Sequence, residues 1–124
     1  MNTFVNCLLV GAGGMLGTIG RYLLGLLPIK TQGGFPIITL AINLIGAFCI
    51  GLIVAFSGRS GNTSPQLLLF LKVGICGGFT TFSTFSLEAV QLLQNGKFVA
   101  AFSYMILSVA LCVAAVACAQ AIVK

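Results

Sequence analysis

The sequence predicts an all-α integral membrane protein with four transmembrane helices, and three observations carry that prediction. Hydrophobic residues make up 59% of the 124 residues and charged residues only 6%, far below the roughly one-quarter charged share of a soluble domain. The apolar residues gather into four stretches, each long enough for the roughly 20 residues that cross a bilayer. Turn-forming residues gather between those stretches, at Pro28 to Pro36, Ser57 to Pro65 and Asn95 to Lys97. One four-helix domain, residues 1–124, therefore fills the chain and leaves no room for a folded extramembrane domain.

The first span covers about residues 4–27 and is closed by Pro28. It is no secretion signal, because it lacks a basic n-region and outruns the roughly 7 to 15 residues of an h-region. Lys30, Gly33, Gly34 and Pro36 form a loop before the second span, about 37–56. Gly58, Arg59, Gly61 and Asn62 mark the next connection. The third span covers about 66–94. Its middle holds Gly74, Gly77 and Gly78 followed by Thr80, Thr81, Ser83, Thr84 and Ser86. Glycine loosens a helix and hydroxyls can satisfy the backbone groups set free, so a break is expected near 77–81, and broken spans at mid-membrane line sites or cavities. Asn95-Gly96-Lys97 turns the chain into the fourth span, about 98–123.

Three connections between four spans put both termini on one side. That side receives Arg59, Lys72 and Lys124, and the other receives Arg21, Lys30 and Lys97. An even split gives the charge rule nothing to orient by, which predicts dual topology and, as the economical way to enclose a pathway, an antiparallel homodimer. Gly13 and Gly17, in a GxxxG spacing, add support, since small residues let helices approach closely.

The side chains exclude most chemistry. With no His and a single carboxylate, Glu88, acid–base or metal catalysis has no residues to draw on, and an enzyme is not expected. Cys7, Cys49, Cys76, Cys112 and Cys118 all lie in apolar runs and read as small hydrophobes. The six cations stand singly and form no nucleic-acid patch. What remains is a set of mostly neutral donors. Thr80, Thr84 and Glu88 fall on successive turns of a helix, as do Thr39 and Asn43 in span two and Tyr104, Ser108 and Cys112 in span four. An unpaired amide in hydrocarbon costs on the order of 2 to 7 kcal/mol, so Asn43 has a partner, either another helix or a permeating ion. Neutral O–H and N–H groups suit a small anion. Phe79, Phe82 and Phe85, three residues apart, read either as packing or as ring edges whose partial positive charge faces an anion.

The stretches GAGGMLGTIGRY (Gly11 to Tyr22), TLAINLIGAF (Thr39 to Phe48) and GICGGFTTFSTFSLE (Gly74 to Glu88) resemble the Fluc, or CrcB-type, fluoride channels, and the resemblance spans essentially the whole chain. It implies a dual-topology antiparallel homodimer in the plasma or inner membrane with two fluoride pores, a passive exporter that confers fluoride resistance. By motif position it makes Asn43 the pore amide and Phe82 and Phe85 the aromatic pair, with Phe79 outside it. Ser83 and Thr84 then belong to a hydroxyl track with Thr39, Tyr104 and Ser108, Glu88 lies near its end, and Arg21 sits in an anion-attracting vestibule. A structural sodium ion at the dimer centre would be held by the backbone carbonyls of Gly77 and Thr80. Cys112 stands where a serine would extend the track, and a thiol is a weaker donor.

Two other readings compete. A small multidrug exporter resembles this architecture but is a proton-coupled antiporter built on a glutamate in its first span, where this chain has no acid. A non-transporting accessory subunit would leave the polar faces of three spans without a purpose.

Overall fold

A bilayer offers the backbone no hydrogen-bond partners, so each apolar stretch must satisfy its own amides within a helix. The computed structural model describes residues 2–124, and every regular element among them is helical. Helix α1 spans Thr3–Gly25, capped by the Asn2 side chain, which accepts from the Phe4 N–H at 2.8 Å. Its last turn tightens, Leu26 and Leu27 donating to the carbonyls of Leu23 and Leu24, so the regular helix stops short of Pro28. Helix α2 spans Ile37–Ser60. It runs on through Ser57 and Arg59, residues read above as a connection, until Gly61 takes a left-handed φ of 68° and ends it. Arg59 Nη1 then donates to the Val123 carbonyl at 2.8 Å, tying this end to the last turn of the chain.

The third apolar stretch is more varied. Helix α3, residues 65–79, opens with Pro65 at its first turn and the Ser64 side chain capping Leu67 N–H at 3.0 Å. It passes through a wider, π-helical stretch at Leu69–Cys76 and closes with Gly77–Phe79. Thr80 and Thr81 are extended, with φ and ψ of −89° and 157°, then −148° and 120°. Helix α4, Phe82–Gln94, starts afresh with Thr81 as its cap, and α5 spans Phe98–Val123. By length and composition, the four helical stretches Thr3–Gly25, Ile37–Ser60, Pro65–Gln94 and Phe98–Val123 suit a membrane crossing.

Pairing is interleaved: α1 packs against α3, α2 against α5, and α4 against α5. The α1–α3 contact is backbone on backbone. A Cβ on Gly13 would lie 2.9 Å from Gly74 Cα, and one on Gly78 would lie 2.6 Å from the Gly14 carbonyl oxygen. The Gly13/Gly17 spacing, taken above as support for a dimer, is therefore spent inside one chain, because the backbone it approaches, at Phe70, Gly74, Ile75 and Phe79, belongs to its own third span. Leu40, Phe85, Ala89, Leu92, Ala101 and Tyr104 form the core where α2, α4 and α5 meet. Leu8, Ile19, Val99 and Val113 are exposed, as a lipid-facing surface requires.

Candidate functional site

The extended pair Thr80-Thr81 organises the site. In an extended residue the N–H and C=O point to one side, and a side-chain amide can engage both. Asn43 of α2 does so: Thr81 N–H donates to Oδ1 at 2.8 Å, and Nδ2 donates to the Thr81 carbonyl at 3.1 Å. Backbone N–H only donates and C=O only accepts, so this pairing fixes which end of the amide is oxygen. The partner of Asn43 is thus the chain itself, and one Nδ2 hydrogen is left over.

The interruption redirects the carbonyls that precede it. In an unbroken helix, the Gly77 and Thr80 oxygens would accept from the N–H groups of Thr81 and Thr84. Those two donors go instead to Asn43 Oδ1 and, at 3.2 Å, to Thr81 Oγ1. The Gly78 carbonyl is taken by Arg21 Nε at 3.1 Å and Thr18 Oγ1 at 3.4 Å, both from α1. Gly77 and Thr80 both border a cavity of about 450 Å³, so the residues present suit a hard cation that takes carbonyl oxygens.

That cavity also brings together Asn43, Phe82, Phe85 and Ser108. Phe85 is buried against Tyr104 with ring centroids 5.0 Å apart, whereas Phe82, 5.5 Å from Phe85, is 77% exposed. Ser108 Oγ is the one buried side-chain polar atom among the described residues with no hydrogen-bond partner. Cys112 borders the cavity as well.

A second cavity, of about 420 Å³, holds Arg21, Thr39, Thr84 and Glu88. Thr39 Oγ1 donates to Glu88 Oε2 at 3.0 Å and Tyr104 O–H to Oε1 at 2.9 Å, so each carboxylate oxygen carries one hydroxyl. Thr81 alone among the described residues lines both cavities, and its hydroxyl bonds Thr84 Oγ1 at 3.1 Å.

One expectation needs correction. Thr80 does not share a helical face with Thr84 and Glu88, because the extended pair resets the helical phase; its hydroxyl turns back to the Cys76 carbonyl at 2.9 Å. Ser83, like Phe82, is exposed on the single chain, and its hydroxyl lies 3.4 Å from Thr81 Oγ1. Phe79 packs beside Gly20 and Gly46, away from the Phe82–Phe85 pair. The residue that sequence reasoning passed over is Thr81. Its position three residues before Thr84, at a helix start, is the signal of a capping residue.

Residues 8–120 match the family profile described as CrcB-like protein, Camphor Resistance (CrcB). A protein of Ruminiclostridium cellulolyticum named fluoride-specific ion channel FluC is 43% identical over 100% of this chain and 96% of its own length. Proteins of the same name from Rhizobium meliloti and Agrobacterium fabrum are 42% and 43% identical, covering 94% and 90% of the chain and the same shares of their own.

Proposed function

The chain belongs to the CrcB-like family, and we propose that it works in the membrane as a passive, fluoride-selective channel that lets fluoride leave the cell. The observation that carries this is identity above 40% along nearly the whole chain to proteins named fluoride-specific ion channels. It is a multi-pass membrane protein and a channel, not an enzyme. The plasma or inner membrane is its place, because only there does the export have a driving force. HF is neutral and enters from acid surroundings, then dissociates in the more alkaline cytoplasm. An inside-negative potential drives the trapped anion out, by about 2.3 kcal/mol per charge for each 100 mV.

The cavity residues suit this task. Phe82 and Phe85 offer ring edges to an anion, the unpartnered Ser108 hydroxyl has a proton to give, and Asn43 keeps one N–H beyond the one donated to the Thr81 carbonyl. Glu88 already holds the protons of Thr39 and Tyr104, so these hydroxyls serve a passing anion when it exchanges with a carboxylate oxygen. Arg21 faces the same cavity and draws anions toward it. In liposomes loaded with fluoride, the protein is expected to give efflux without a proton gradient, and Phe85→Ile to lower it at least tenfold with the oligomer intact. Undiminished efflux in Phe82→Ile and Phe85→Ile together would remove the aromatic pair from the path, and drug–proton exchange would replace the channel with an antiporter.

The working unit is read as an antiparallel homodimer of oppositely inserted copies, with the Thr80-Thr81 interruption at mid-membrane. The even split of Arg59, Lys72 and Lys124 against Arg21, Lys30 and Lys97 supports it, as does the exposure of Phe82, a ring that needs a second wall. At the centre, the carbonyls of Gly77 and Thr80 from each copy would hold a sodium ion, which supplies charge compensation for oxygens the helix no longer uses. Light scattering in detergent is expected to give twice the chain mass in sodium, and exchange of sodium for a bulky organic cation to lower both dimer recovery and efflux. Indifference of both readouts to sodium removes the central site.

A further inference from the structure

Glu88 and Pro36 border a third cavity, of about 240 Å³, at the end of α4. Its other walls include Gly34, Gln91, Asn95 and Lys97. Gln91 and Asn95 follow Glu88 at helical spacings of three and seven, which keeps them on one face. The chain then turns at Gly96, with φ 73°, and Lys97 N–H returns to the Leu92 carbonyl at 2.9 Å. This turn lays the Lys97 side chain over Gly34, its Nζ 3.3 Å from where a Cβ at Gly34 would stand. Gln91, Asn95 and Lys97 are all exposed, so the cavity opens to water.

The cavities form a series. The one with Phe82, Phe85 and Ser108 meets the next at Thr81, and that one meets the third at Glu88 and Pro36. A carboxylate on the inner wall of an opening repels anions. Here an ammonium group lines the same opening, and the two amides, Gln91 and Asn95, add N–H donors.

We propose that this cavity is the aqueous mouth of the anion path on the face carrying the α1–α2 and α4–α5 connections, and that Lys97 is the residue that gathers small anions into it. The proposal rests on the channel reading. Arg21 lies deeper, in the second cavity, and Lys30, on the same face, borders none of the three. Lys97 is therefore the cation nearest to water in the series.

An exposed charge acts through a field that salt screens, over about 30 Å at 0.01 M ionic strength but about 3 Å at 1 M. In fluoride-loaded liposomes, Lys97→Glu is expected to lower the initial efflux rate roughly three- to tenfold at about 0.01 M and to approach the unsubstituted protein at about 1 M. Lys97→Arg should keep the rate, and Lys30→Glu, with the same change in net charge but outside the cavity, should lower it markedly less. Equal ratios at low and high salt, no effect of Lys97→Glu at either, or an equal effect of Lys30→Glu would each overturn the mouth while leaving the channel standing. Absence of efflux from the unsubstituted protein would overturn the channel reading and this inference with it.

Discussion

Gly17→Val is expected to prevent the fold from forming. A Cβ at Gly17 would run into the Ile75 carbonyl oxygen and lie 2.8 Å from the Phe79 backbone N. Both are backbone atoms of α3, so no side chain can swing aside. The helices must separate, and the contacts of the whole α1–α3 seam go with them. Overpacking inside a core costs about 1 to 3 kcal/mol when side chains can adjust, and here they cannot. Detergent extraction followed by size-exclusion chromatography is the readout, with loss of the monodisperse peak expected. Gly11→Val on the same helix is the matched control, because a Cβ there meets nothing within 4 Å. A sharp peak for Gly17→Val would mean that α1 and α3 do not meet through their glycines.

Asn43→Leu is expected to abolish most of the efflux while leaving the chain in the membrane. It deprives the Thr81 N–H and C=O of their partners at once, and each buried orphan costs about 1 to 3 kcal/mol. The Thr81 N–H then has an incentive to rejoin Gly77 in a continuous helix, which would rotate Phe82, Phe85 and Thr84 relative to α3. Asn43→Asp is a finer probe. An ionised carboxylate still accepts from Thr81 N–H but sets an oxygen without a proton against the Thr81 carbonyl. Hydrogen–deuterium exchange should report the same event independently of transport, with faster exchange at residues 80–84 in both variants. Full efflux together with unchanged exchange in Asn43→Leu would show that the amide does not hold the interruption.

These expectations mark what the sequence made legible. A bilayer allows few solutions, so four apolar runs named four helical spans. Gly77 and Gly78 followed by hydroxyls marked the place of the interruption, since a chain able to break cheaply declares it locally. Partners were not legible. That Asn43 pairs with the backbone of Thr81, 38 residues on, depends on how α2 leans on α3, which no local pattern reports. The GxxxG spacing shows the limit well: it announces close approach but does not say to which helix. The same holds for Lys97, a loop lysine in the sequence and the rim of a cavity once the turn at Gly96 folds it over Gly34.

The interleaved pairing bears on how the protein is made. Consecutive elements are usually neighbours in space, but here α1 and α2 make few contacts with one another. Each waits in lipid for its principal mate, synthesised later, α3 for the first and α5 for the second. Assembly is thus completed only as the C-terminal segment arrives, when the Val123 carbonyl receives Arg59. A ribosome stalled before α5 would leave α2 held mainly through the Asn43–Thr81 pairing, with its longest seam still facing lipid.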